Sequence, residues 1–377
     1  MKYYVIAGEP SGDMYGSGLI KELKKVDTGA QFRCWGGDLM QAQGGEIVKH
    51  YRDLAFMGFV EVAKNIRTIF KNIAFCKEDI LKYKPDVLVL VDYPGFNMRI
   101  AKWAKEQGIR VFYYIAPAIW AWHESRVHDI KKNVERLYAI LPFEKAVFAK
   151  HNYDVHYFGH PLADIIQQEK EKIISREEFL KKYSLSEKPI IAVLPGSRAQ
   201  ELKHILPEML KTIKHFPEYQ FVIGAAGSLP IKMYEDAITG FDIKIVRNDT
   251  YSLMRHAHAG LIKSGTSTLE AGLFDLPEVL CYKGNPISIQ IGRWVAKAKY
   301  ICLINLILDK PAVKELIQQD LNEDMLVEAL KGILSGPKRN ELLNEYKNVQ
   351  EQLKAGNVSA KIAQDMYNCL VKIHEKA

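Results

Sequence analysis

The run Val87-Leu88-Val89-Leu90-Val91 constrains this chain more than any other segment. Both of its alternating faces are apolar, so it reads as a strand covered on both sides, as in the middle of a parallel sheet flanked by helices. It ends in Asp92-Tyr93-Pro94-Gly95 and passes into a helical pattern, and the same order of strand, polar turn and helix recurs through the first half. Strands are predicted at Tyr3 to Ala7, Phe32 to Trp35, Val87 to Val91, Arg110 to Ile115, Arg136 to Leu141 and Val155 to Phe158. Helices are predicted between them at Met14 to Lys25, Val62 to Lys82, Asn97 to Gln107, Arg126 to Asn133 and Phe143 to Lys150. Helical crossovers between such strands imply an α/β fold with a doubly wound parallel sheet.

The pattern then repeats. After a charged stretch from Gln167 to Lys188, strands are predicted at Ile190 to Leu194, Phe221 to Gly224, Ile243 to Val246, Gly260 to Lys263 and Val279 to Tyr282. Helices fall near Glu201 to Lys214, Lys232 to Thr239, Ser252 to His256 and Thr266 to Phe274. Beyond Leu303 only helices are predicted, at Ala312 to Gln319, Glu323 to Leu334, Lys338 to Lys354 and Ser359 to Ile373. A chain of 377 residues is long for one core and suits two domains. We therefore expect two Rossmann-like domains facing a cleft, at residues 1–165 and 166–340, with helices in 341–377 returning to the first.

Several classes drop out on composition. Lys and Arg number 52 against 45 Asp and Glu, a net charge of +7 that suits phosphates, nucleic acid or an acidic membrane surface without choosing among them. Nucleic acid lacks a recognisable motif here. The cysteines, Cys34, Cys76, Cys281, Cys302 and Cys369, are odd in number and scattered, which argues against a disulfide framework or a structural metal and fits a reducing cytosol. The first residues, MKYYVIAGEPSGD, are neither signal peptide nor spanning helix, and no apolar run is long enough to cross a bilayer.

Ligands of doubly wound sheets bind beyond the carboxyl ends of strands, so the loops there are the candidates. Gly8-Glu9-Pro10-Ser11-Gly12-Asp13 offers amides and a hydroxyl at a helix start, with Asp13 as a helix cap the simpler alternative. It matches neither a dinucleotide fingerprint nor a Walker A loop. Asp92 ends the most apolar strand and can act as a general base, or cap the next helix unless Asn97 takes that job. In Leu194-Pro195-Gly196-Ser197-Arg198, Ser197 can cap a helix and Arg198 adds a forked cation where the helix end is already positive, a placement that asks for an anion. Ser264-Gly265-Thr266 suits a second phosphate or a capping box, and Glu270 can accept bonds from a ribose diol.

Seven segments together are more specific than any one. AGEPSGD (7–13), DYPGFN (92–97), APAIWAW (116–122), LPFEK (141–145), FGHP (158–161), LPGSRAQE (194–201) and SGTSTLE (264–270) resemble lipid-A-disaccharide synthase, and the resemblance continues to Asn305 and Gln318. It implies an inverting glycosyltransferase of the GT-B type. Such an enzyme joins UDP-2,3-diacylglucosamine to 2,3-diacylglucosamine 1-phosphate, releases UDP, and makes the β-(1′→6) disaccharide precursor of lipid A in lipopolysaccharide biosynthesis. By the same resemblance, Ser197, Arg198, Ser264, Gly265, Thr266, Glu270, Asn305 and Gln318 bind the UDP-sugar. Asp92 and Arg198 are catalytic, and Glu9, Ser11, Gly12 and Asn97 contact acceptor or sugar. Another UDP-sugar glycosyltransferase or an epimerase of the same fold is the alternative. With no Asp-x-Asp in the chain, neither a metal nor a cofactor is expected, and a homodimer is left open. Ala116 and Glu278, in Pro277-Glu278, depart from the Ser and Pro-Met usual in the family, as do Gly95 and Ile304 from their expected residues. His123, His160, Trp120 and Trp122 are expected to pack rather than to catalyse.

Diacylated substrates imply a cytoplasmic enzyme lying peripherally on the inner face of the inner membrane. Phe56, Phe59, Ile66, Ile69 and Phe70, interleaved with Lys64, Arg67 and Lys71, form a stretch that suits an anionic surface, or else a core helix with a basic face.

Overall fold

A computed structural model describes residues 1–54, 66–122, 125–284, 299–353 and 356–374. The chain divides into two compact units. The first holds Met1–Asp164 and the carboxyl-terminal helix Val358–His374, and the second runs from Ile165 to the helix Pro337–Gln352.

The first unit is built on a seven-stranded sheet of β1 (Lys2–Ala7), β2 (Gln31–Gly36), β3 (Glu46–His50), β4 (Val87–Val91), β5 (Val111–Tyr114), β6 (Arg136–Ala139) and β7 (His156–Tyr157). Its strand order is β3-β2-β1-β4-β5-β6-β7, and every pairing is parallel. All five residues of β4 are fully buried, as its composition requires. The second unit holds β8 (Ile190–Leu194), β9 (Gln220–Ala225), β10 (Lys244–Arg247), β11 (Ala259–Lys263), β12 (Glu278–Tyr282) and β13 (Lys314–Ile317) in the order β10-β9-β8-β11-β12-β13, again all parallel. Each sheet winds one way from its first strand and then the other, so each has a switch point: between β1 and β4 in one, between β8 and β11 in the other.

Three expectations are corrected. Ala312 to Gln319 is strand β13 followed by a short turn of 3-10 helix, Gln318–Asp320. Its buried residues Val313 and Leu316 lie three apart, a spacing that mimics a helix, and pairing with the edge of β12 decides otherwise. Strand β3 was not anticipated because it is an edge strand whose residues are only partly covered. Of the terminal helices, only Val358–His374 joins the first unit. It packs on the helix Pro10–Val26, its first amide donates to Asp164 at 2.5 Å, and Asp365 accepts from Tyr138 at 2.8 Å and pairs with Arg136 at 3.0 Å. Helix Pro337–Gln352 stays with the second, its buried Leu342, Tyr346 and Val349 facing the helices Thr266–Leu273, Leu303–Leu308 and Glu323–Leu334.

One core position conflicts with its surroundings. Glu278, on β12, is fully buried and neither carboxyl oxygen has a hydrogen-bond partner. Burial pushes its carboxyl well above the usual range, so it is held protonated. Its contribution to stability is complete below the ordinary carboxylate range and is lost as pH rises toward the folded value, because the unfolded chain releases the proton first. Glu278→Met, similar in volume and free of polar atoms, is expected to stabilise the second unit by about 1–3 kcal/mol at neutral pH. Urea titrations across the pH range check this: the variant's midpoint lies above the parent's, by a margin that widens with pH.

Candidate functional site

Both switch points carry loops marked by their sequence. In the first unit, Glu9 follows β1 as the N-cap residue of Pro10–Val26, and Ser11 sits half-buried in its first turn. Gly12 is buried against β1, where a side chain would lie 3.1 Å from the Ala7 Cβ. Asp13 caps a different helix from the expected one: it is 2 % exposed and accepts from the amides of Gly37, Leu39 and Met40 at 2.8, 3.1 and 3.1 Å, holding the start of Asp38–Ala42. Gly8 must be glycine, because a Cβ there would come within 2.4 Å of the Tyr93 ring.

Across the switch point, β4 ends in two consecutive non-glycine residues in the left-handed region, Asp92 (φ 45°) and Tyr93 (φ 50°). That conformation is costly, more so for tyrosine, and persists only where the surroundings impose it. Here they do: the Asp92 amide donates to the Tyr114 carbonyl at 3.1 Å, while the Asp92 carbonyl accepts from the Tyr113 hydroxyl at 2.6 Å and from Asn97 Nδ2 at 2.7 Å. All three bonds use the main chain, leaving the carboxyl to other work. Burial, then the negative charge of Glu9 and more weakly that of Glu144, pushes the Asp92 carboxyl up to about 7, with a bond from the Tyr93 amide pulling the other way.

Asn97 is neither a cap nor open to a ligand: it is fully buried, the N-cap residue is Tyr93, and its amide ties β1 and β4 to the Asp92 loop. Glu144 lies within the segment LPFEK (141–145). It is 2 % exposed, accepts from the amides of Ile140 and Leu141 at 3.1 and 3.0 Å and from Trp120 Nε1 at 3.2 Å, and burial still raises its carboxyl to about 7. Trp120 is thus held by a hydrogen bond and packs edge-on against Phe143. Burial lowers the His160 imidazole to about 3, and its Nδ1 accepts from the Leu162 amide at 3.2 Å, so this ring is neutral packing. Ala116 is buried at the end of β5, and Gly95 is exposed. His123 and the Trp122 side chain lie outside the described residues.

In the second unit, β8 runs into Pro195 and Gly196, whose φ of 113° turns the chain. The Gly196 carbonyl accepts from the Tyr234 hydroxyl at 3.3 Å and that of Ser197 from the Ser228 hydroxyl at 2.9 Å, so the loop is fixed from the β9 side. Ser197 does not cap the helix Ala199–Leu210. The N-cap residue is Arg198, with no side-chain cap bond, and the Ser197 amide donates to Glu201 at 3.1 Å. Arg198 donates to the same carboxylate at 3.0 Å. At the neighbouring end of β11, Ser264 bonds the Cys281 and Ile301 carbonyls, and Gly265 and Thr266 open the helix Thr266–Leu273, also without a side-chain cap. No capping box forms there, and the Thr268 amide donates to the Gly265 carbonyl at 3.2 Å. Glu270 accepts from the Tyr251 hydroxyl at 3.1 Å, and burial pushes its carboxyl up to about 7.

Two further candidate residues also bond within the protein. Asn305 is fully buried and spends its amide on Val313 and Glu315, stapling Leu303–Leu308 to the start of β13. Gln318 (φ 57°) pairs with the Gly284 backbone. Among the described residues no group of three or more His, Cys, Asp or Glu is arranged to hold a metal ion.

A family model described as lipid-A-disaccharide synthetase matches residues 3–373. A lipid-A-disaccharide synthase from Coxiella burnetii is 34 % identical over 372 residues, 97 % of this chain and 98 % of that protein. Another, from Syntrophus aciditrophicus, is 35 % identical over 349 residues and 90 % of each chain. Among solved structures, a UDP-GlcNAc 2-epimerase from Neisseria meningitidis bound to UDP-GlcNAc superposes with a TM-score of 0.69 at 14 % identity, covering 98 % of this chain and all of that one. One from Methanocaldococcus jannaschii, in complex with UDP-GlcNAc and UDP, gives 0.67 at 14 %, covering 98 % of this chain and all of that one. At that identity the likeness shows a shared fold of two parallel-sheet α/β domains.

Proposed function

Because the chain belongs to the lipid-A-disaccharide synthase family, we propose that it transfers the diacylglucosamine of its UDP-linked donor to diacylglucosamine 1-phosphate and releases UDP. The observation that carries the assignment of roles is Asp92. It stands at the first switch point in a backbone conformation locked by three main-chain bonds, with a carboxyl poised near neutrality. A carboxylate of that affinity can take the proton from the attacking hydroxyl of the acceptor. Charge growing on the departing diphosphate is met by Arg198 and by the positive amino-terminal ends of Ala199–Leu210 and Thr266–Leu273, and Glu270 suits the ribose. Inversion at the sugar follows from one direct displacement. Incubating the protein with both diacylglucosamine substrates tests the reading: mass spectrometry should detect a disaccharide monophosphate and UDP. Lipid-independent turnover of UDP-GlcNAc would instead assign an epimerase.

No helix of the described residues is long and apolar enough to cross a membrane. The helix Ile66–Tyr83 supports peripheral docking: Phe70, Phe75 and Leu81 are 59 %, 44 % and 49 % exposed, beside exposed Arg67, Lys71 and Lys82. Ile69 is half-buried against the core, while Phe56, Phe59 and the side chain of Ile66 lie outside the described residues. Apolar insertion and cation attraction act together on anionic lipid, each cation contributing about 1 kcal/mol and fading with salt. Serine at Phe70, Phe75 and Leu81 is expected to cut co-sedimentation with anionic vesicles about tenfold or more while leaving UDP affinity unchanged. Circular dichroism verifies that the fold survives; undiminished vesicle binding would remove this helix from the docking surface.

A further inference from the structure

Three strand ends stand side by side at the carboxyl edge of the first sheet. The Asp92 amide, after β4, donates to the Tyr114 carbonyl on β5, and the amides of Ile115 and Ala116, after β5, donate to the Tyr138 carbonyl on β6 at 3.1 and 3.2 Å. Ile115 has a φ of 66°, a left-handed backbone that is an outlier for a β-branched residue. The chain turns there from β5 toward the short helix Ile119–Trp122.

Glu144 ties that helix to the end of β6. Its Oε2 accepts from the amides of Ile140 and Leu141, which follow β6, and its Oε1 accepts from Trp120 Nε1 at 3.2 Å. The Phe143 ring meets the indole nearly at a right angle, with centroids 5.1 Å apart. Trp120 is therefore fixed by two contacts, yet it stays partly exposed, whereas Glu144 is buried. A buried carboxylate and a left-handed β-branched residue both cost stability, and packing alone requires neither. Such costs persist where a side chain has to be held in one place for function. Asp92 is near enough for the charge of Glu144 to raise its carboxyl.

We propose that Glu144 is a positioning residue for the acceptor: it holds the Trp120 indole at the end of β5, and the partly exposed indole is the surface against which the acceptor's sugar ring lies, with its hydroxyl toward Asp92. This rests on the reading of Asp92 as the base. A flat indole whose one polar atom is already engaged suits the C–H face of a sugar, and a ring fixed before binding loses little freedom when the sugar arrives.

Steady-state kinetics of the full chain, with each substrate varied in turn, test it. In Glu144→Gln the side-chain oxygen still accepts from the amides of Ile140 and Leu141, but the amide nitrogen that takes the place of Oε1 cannot accept from the indole. This variant is expected to raise KM for diacylglucosamine 1-phosphate about tenfold, with KM for the UDP-linked donor within about twofold of the parent. Trp120→Phe, which keeps a ring and loses the indole N–H, is expected to raise the acceptor's KM by about the same factor. Adding Glu144→Gln to it should then cost less than about a further twofold, because the carboxylate acts through the indole. An unchanged acceptor KM in Trp120→Phe, a loss shared equally by both substrates, or full additivity in the double variant overturns the inference while the proposed reaction stands. If Glu144→Gln does not fold, Trp120→Phe decides alone, on the acceptor KM against the donor KM. A parent protein that makes no disaccharide overturns the proposed reaction and this inference with it.

Discussion

Asp92→Asn is expected to lower turnover by about a hundredfold or more while leaving UDP affinity and the fold intact. The substitution is close to isosteric, and asparagine tolerates the left-handed backbone as aspartate does. The bonds that hold the loop run through the main chain to Tyr113, Tyr114 and Asn97, so they survive it. What is lost is a carboxyl raised to about 7 by burial and by Glu9. The base must be ionised to accept a proton, so the parent's kcat/KM should climb with pH through about 7 and level off above it. In Asp92→Asn that limb should vanish. A variant with near-parental rate at neutral pH, or with an unchanged acid limb, would show that another group takes the proton.

Arg198→Ala is expected to cost about a hundredfold in kcat/KM for the donor, with kcat falling as well as KM rising. The guanidinium sits at the N-cap of Ala199–Leu210, where its charge gains strength as the diphosphate departs. Its pairing with Glu201 fixes where the guanidinium stands. Steady-state kinetics over donor concentration separate the two roles: a rise in KM at constant kcat would mean that Arg198 binds ground state and transition state equally.

Much of this architecture was legible because its signals are local. Val87–Val91 could only be a covered strand, and loops that break from such strands through Gly, Pro and small polar residues mark carboxyl ends whatever the partners turn out to be. Asp92 and Arg198 stand in such loops. Glu144 and Glu201 stood inside recognised segments, and Lys263 just before one, without a role, because their meaning lies in contacts: Glu144 with the amides of Ile140 and Leu141, and Lys263 with the Glu201 carboxylate, far earlier in the chain. For Asn305 and Gln318 the contacts add a structural role. Each is a polar residue at a plausible spacing whose hydrogen bonds the fold itself consumes.

By itself the sequence determined the two parallel sheets, the family, and which loops leave the carboxyl ends of strands, since burial pattern and turn chemistry act over a few residues. Only the tertiary structure decided that Ala312 to Gln319 is an edge strand, that Pro337–Gln352 stays with the second sheet, and that Asp92 is strained, half-buried and near neutral in affinity. Those properties depend on desolvation and on charges brought together from distant positions, and neither exists until strands that are far apart in the chain lie side by side.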